Sequence, residues 1–142
     1  MKVVAMKVVV DTNVLLISLP KISKYRPIFN GLLQSVYTLA ISTEILNEYV
    51  EIISQKTKPI IADNIGGLLT QLSNVEKTEV SYRWNLIIED VDDNKFVDCA
   101  IAAQADYIVT NDKHFNILKD IDFPKTNVIS ADEFLDKVLA IK

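Results

Sequence analysis

The chain has 142 residues, 49% of them hydrophobic, with three glycines and four prolines. That composition excludes disorder and fits one folded domain, 1–142, with a sizeable core. A net charge of −4 excludes a surface coated in basic charge for nonspecific nucleic-acid binding, but not an enzyme that meets phosphate through divalent metal, because bound metal inverts the local field. Cys99 is the only cysteine, so an intramolecular disulfide is impossible and a Cys-based zinc site is disfavoured. The N-terminal MKVVAMKVVVDTN has no signal-peptide layout, since Lys7 interrupts its apolar run. No run reaches the ~18 apolar residues of a membrane span. A soluble cytoplasmic domain without membrane contact is therefore expected. MKVV occurs twice, from Met1 and from Met6, and no function is placed on the repeat.

In chain order, Val8–Val10 reads as a strand buried on both faces, because three β-branched residues follow one another unbroken by polar ones. Asp11 stands where that strand emerges. It is either a turn or capping residue, with Thr12 and Asn13, or a site residue. An apolar stretch, Val14–Leu19, ends at Pro20 and gives way to Lys21, Lys24 and Arg26. Pro27–Ser35 fits a helix with proline in its first turn. Val36–Ile41 reads as a second strand, and Ser42 and Thr43 are good caps for a helix over 43–55. Pro59–Leu72 is a further helix despite Gly66 and Gly67, and 79–88 holds a short strand. Asp90–Asp93 opens a helix over 94–104. A third central strand over 107–110 again ends near an acid, Asp112. A strand at 127–129 and a helix at 131–140 close the chain. Alternating strands and helices predict an α/β domain, a mainly parallel sheet flanked by helices in three layers.

Helical geometry ranks the acids. On the 43–55 helix, Ile45, Leu46, Tyr49, Val50, Ile52 and Ile53 form one apolar face. Glu48 lies about 115° from its centre, at the edge, while Glu44 and Glu51 lie about 155° and 175° away and read as solvated. On the 94–104 helix, Phe96, Cys99, Ala100 and Ala103 face inward. Asp93 falls within about 55° of that face, and Asp98, at about 165°, is expected in solvent. Two strand-end acids and two helix-borne acids, Asp11, Asp112, Glu48 and Asp93, would then converge. Four like charges raise one another's pKa unless a cation joins them. Oxygen-only donors select Mg²⁺ or Mn²⁺, and such a site activates water and stabilises charge developing on a phosphodiester.

The segments DTNVLL (11–16), ISTEILNEY (41–49) and DDNKFVDCAIAAQADYIVTNDKHF (92–115), with the closing SADEFL (130–135), resemble the PIN-domain family. The resemblance is to its small bacterial and archaeal VapC-like members, toxin components of toxin–antitoxin pairs. It covers almost the whole chain, and the 92–115 block is its most specific part. It implies a doubly wound parallel sheet and Mg²⁺- or Mn²⁺-dependent nuclease activity, usually on RNA. Its acidic motif positions match Asp11, Glu48, Asp93 and Asp112. Asn13 and Thr110 match polar positions that hold those acids or nearby water. Some members carry a further acid after the T-x-D motif, where this chain has His114, Phe115 and Asn116. His114, the only histidine, is read as a turn residue without catalytic duty. The resemblance further implies an antitoxin partner and a homodimer or larger assembly that brings Lys21, Lys24, Arg26, Lys56 and Lys58 near a long RNA.

Two other classes fit less well. A phosphoaspartyl phosphatase needs an acid two residues after its nucleophile, where this chain has Asn13. A non-catalytic binding module of the same fold does not require the complete set of four acids. With one histidine and one cysteine on an apolar face, neither a two-histidine ribonuclease nor a base-activated side-chain nucleophile is available. Water is the nucleophile expected.

Overall fold

The computed structural model describes residues 6–141, so the Met1 copy of MKVV lies outside the described residues. Five parallel strands form one sheet: β1 (Lys7–Val10), β2 (Thr38–Ile41), β3 (Val75–Lys77), β4 (Tyr107–Val109) and β5 (Val128–Ile129), in the order β3-β2-β1-β4-β5. The helices are α1 (Thr12–Ser18), α2 (Arg26–Leu33), α3 (Thr43–Lys56), α4 (Pro59–Gln71), α5 (Asn94–Ala103) and α6 (Ala131–Ile141). Helices flank the sheet, as the sequence predicted. Val8 and Val9 are fully buried and Val10 is 1% exposed, which requires cover on both faces of the central strand. α5 lies against β1, β2 and β4, while α2 packs on α1 and α6. Tyr37 meets Phe134 edge to face between them.

The strand order positions the site. The chain adds β2 and β3 on one side of β1, then returns to place β4 on the other. At such a reversal the connections leave β1 and β4 in opposite directions and open a crevice beyond their carboxyl ends. Val10 pairs with Val109, and the Asp11 N–H continues the ladder to the Val109 carbonyl at 2.9 Å. Asp11 and Thr110 are therefore neighbours at the mouth of that crevice.

The strand expected within 79–88 is a correction. The sheet's edge strand is Val75–Lys77, and residues 78–87 form no regular element. Asn85 adopts a left-handed φ of 53°, which breaks an extended run. The backbone polar groups here are satisfied by side chains instead of a ladder: Trp84 N–H donates to Asp98, and the Asn94 side chain brackets both N–H and C=O of Ile87.

α4 keeps both of its glycines, for different reasons. A Cβ on Gly66 would sit 3.1 Å from Val50 Cγ2, so its absence lets α4 approach α3 closely. A Cβ on Gly67 would meet nothing within 4 Å. Gly67→Ala should therefore stabilise the protein by about 0.5–1 kcal/mol through helix propensity alone, and Gly66→Ala by less. Paired thermal melts check this.

Candidate metal centre

Asp11 leaves β1 into a crevice that hides it, at 6% exposure. It occupies the cap position of α1, yet its side chain makes no capping hydrogen bond. Its carboxylate instead accepts from Thr110 Oγ1 at 2.7 Å, and Thr110 Oγ1 in turn accepts from the Asp112 N–H at 3.0 Å. One hydroxyl thus ties the ends of the two central strands together. Burial raises the Asp11 pKa. The Thr110 hydroxyl opposes that shift, the charges of Asp112 and Glu48 add to it, and the Asn13 main-chain N–H lowers it slightly.

α3 brings Glu48 to the same place. Tyr49, fully buried, donates its hydroxyl to the Val10 carbonyl and clamps the helix onto the end of β1. Its neighbour Glu48, half-buried at the edge of the apolar face, accepts from Thr12 Oγ1 and pairs with Lys95 Nζ at 2.7 Å. Lys95 is anchored by the Asp92 carbonyl at 2.7 Å. Glu44 and Glu51 are exposed, as the wheel required.

Asp93 closes the third side. It precedes α5 but does not cap it, and its Oδ2 is buried without a hydrogen-bond partner. Its pKa is raised to about 7, first by burial and then by the charges of Asp112, Asp90 and Asp11. Burial and three neighbouring acids thus disfavour its charged form, a cost that a bound cation would relieve. Asp112 caps the 3-10 turn Lys113–Asp120 by accepting from the His114 N–H at 2.9 Å, and this folds the imidazole back over the acids. One donor atom from each of Asp90, Asp93, Asp112 and His114 falls in a group spanning no more than 4.8 Å. All-carboxylate oxygen with one imidazole suits a hard or borderline divalent ion.

The sequence model for the PIN domain matches residues 7–114, most of the chain and the whole of this site. The chain belongs to the PIN domain family. Its fold is also that of a crystal structure of VapBC2 from Rickettsia felis bound to a DNA fragment from their promoter, at 22% identity and a TM-score of 0.60. The similarity covers 88% of this chain and 98% of that one. No curated protein matches in sequence.

Asp93 and Asp112 fall in the compact donor group, Asp11 is joined to it through Thr110, and Glu48 stands beside Asp11 but is engaged by Thr12 and Lys95. Thr110 Oγ1 donates to Asp11. Asn13 is exposed and reaches Asp11 only through its main chain. Asp90 and His114 were not singled out as ligands by sequence, although an Asp capping the second residue beyond itself at a strand end signals a turn that folds back.

Asp98 is the second correction. It points away from the pocket, as the wheel required, but is only 2% exposed. The 78–88 segment drapes over it and gives it the Trp84 N–H at 3.0 Å. Burial raises its pKa, opposed by that bond and by Arg83. Asp98→Ala should leave the Trp84 N–H without its acceptor and cost about 1–2 kcal/mol. Urea unfolding followed by fluorescence of Trp84, the only tryptophan, reads both the stability and the loosened loop.

Among the basic candidates, Lys24 pairs with Asp132 at 3.0 Å. Arg26 donates to the Leu19 carbonyl and to Asn30, and lies over the Phe29 ring. Lys21, Lys56 and Lys58 are exposed. Lys56 lies eight residues beyond Glu48 on α3, about 12 Å farther along the helix axis, so only an extended substrate reaches both.

Proposed function

We propose that this PIN-domain chain is a metal-dependent endoribonuclease that hydrolyses phosphodiester bonds of single-stranded RNA. The observation that carries the reading is the convergence of Asp11, Asp93 and Asp112 at the strand reversal, with Asp93 buried and unpartnered. Asp11, Glu48, Asp93 and Asp112 are the proposed metal ligands, and Mg²⁺ or Mn²⁺ is the proposed ion. When bound, the ion supplies acidified water and stabilises the charge developing on the scissile phosphate. The residues do the rest. Thr110 fixes the Asp11 carboxylate, Tyr49 and Thr12 aim Glu48, and Lys95 places a cation beside Glu48. Cys99 is no rival nucleophile: it is buried and its thiol is pushed up to about 12.

The proposed partners are RNA, an antitoxin protein and a second copy of the chain. Lys21, Lys56 and Lys58 are the candidates to contact RNA away from the site, with Lys24 and Arg26 available if their present contacts open. No helix among the described residues is long and apolar enough to cross a membrane, and a cytoplasmic setting is proposed.

Cleavage of a single-stranded RNA with Mn²⁺ tests the reading. Activity should vanish in EDTA and return with excess Mn²⁺. It should persist on a substrate with 2′-deoxyribose at the cleaved position, since water and not the ribose hydroxyl attacks. Full activity in EDTA contradicts the proposal.

A further inference from the structure

We infer that His114 is a metal ligand of this site, so that the chain binds its ion through mixed nitrogen and oxygen donors and prefers Mn²⁺ over Mg²⁺. The inference rests on the metal reading above and adds a donor to it. His114 Nδ1 is buried and has no hydrogen-bond partner, although acids surround it. It lies 3.3 Å from Asp112 Oδ1, 3.6 Å from Asp93 Oδ2 and 3.9 Å from Asp90 Oδ2. Asp93, 9% exposed, presents an equally unpartnered Oδ2 to the same point.

These separations are those of donors around one ion. At metal–ligand distances of about 2.1 Å, adjacent octahedral donors sit roughly 3 Å apart and opposite ones roughly 4.2 Å. The backbone explains why the ring stays there: Asp112 accepts from the His114 N–H at 2.9 Å and holds the turn closed. The far nitrogen, Nε2, faces Glu89 Oε2 at 3.6 Å. With an ion on Nδ1, the Nε2 proton would have Glu89 as its acceptor, the arrangement in which a carboxylate orients a metal-bound histidine. Mn²⁺, though the hardest of the first-row divalent ions, accepts a nitrogen donor more readily than Mg²⁺, which keeps to oxygen and water.

The test uses the whole protein loaded with one equivalent of Mn²⁺. Because His114 is the only histidine, an imidazole ¹⁴N coupling in the pulsed electron paramagnetic resonance spectrum can arise from it alone. The coupling should be present in the wild type and absent from His114→Gln, and Mg²⁺ competition should show the Mn²⁺ preference falling about tenfold in the variant. Circular dichroism confirms that the variant folds; His114→Asn serves if it does not. Mn²⁺ bound without ¹⁴N coupling overturns the inference, as does coupling unchanged in the variant. No Mn²⁺ binding at all overturns both this inference and the metal reading. Coupling present in a protein that cleaves no RNA supports the ligand and removes the nuclease instead.

Discussion

Asp11→Asn should lower Mn²⁺-dependent cleavage by at least ~100-fold, because substitutions of groups that merely support metal ligands already cost 10- to 100-fold. The change removes one charge and keeps the shape. Thr110 Oγ1 can still donate to the amide oxygen at this position, so the contact that ties β1 to β4 survives. Asp11 is a buried acid whose ionisation its surroundings resist, with Asp112 and Glu48 adding repulsion. Folding should therefore be unharmed, and stability should rise by about 1 kcal/mol in metal-free buffer. Single-turnover cleavage and a urea titration of the same preparation separate the two effects. A variant that has lost both activity and stability would make Asp11 a structural residue.

The second large effect is a dependence of metal-free stability on pH with Asp93 as its source. The Asp93 pKa is raised from 3.8 to about 7, so the folded state holds a proton that the unfolded chain has released. Protons bound preferentially by the folded state stabilise it at low pH. The contribution of Asp93 is complete below about 3.8 and is lost as pH rises through about 7. From near pH 5.5 to near pH 8 in EDTA, stability should fall by roughly 1–2 kcal/mol, after discounting for the water that reaches the pocket. Asp93→Asn should flatten that slope. Saturating Mn²⁺ should remove it, since the ion binds the deprotonated pocket of the folded state alone. Urea midpoints across pH, with and without Mn²⁺, measure all three. A slope unchanged in Asp93→Asn would assign it to another group.

The parts of this arrangement legible in the sequence were those set by short-range rules. Val8–Val10 announced a doubly covered strand, and two such strands ending in Asp11 and near Asp112 announced a shared mouth. The wheel placed Glu48 at the edge of α3 because helical geometry alone decides which of three glutamates borders an apolar face. α1 was less legible, since seven residues offer no periodicity and four of them, Thr12, Val14, Leu15 and Ser18, are buried. Asp98 escaped for a different reason. A wheel tells direction, not cover, and the cover is a segment 14 residues earlier whose backbone seeks side-chain acceptors. His114 escaped because its place depends on the Asp112 cap, a tertiary consequence of a local turn.

One ion should sit where these carboxylates meet. Anomalous scattering at the manganese edge from crystals grown with Mn²⁺ locates the ion directly. One strong peak is expected between Asp93, Asp112 and His114, within reach of Asp11. A peak confined to surface acids, or none at saturating Mn²⁺, would contradict it.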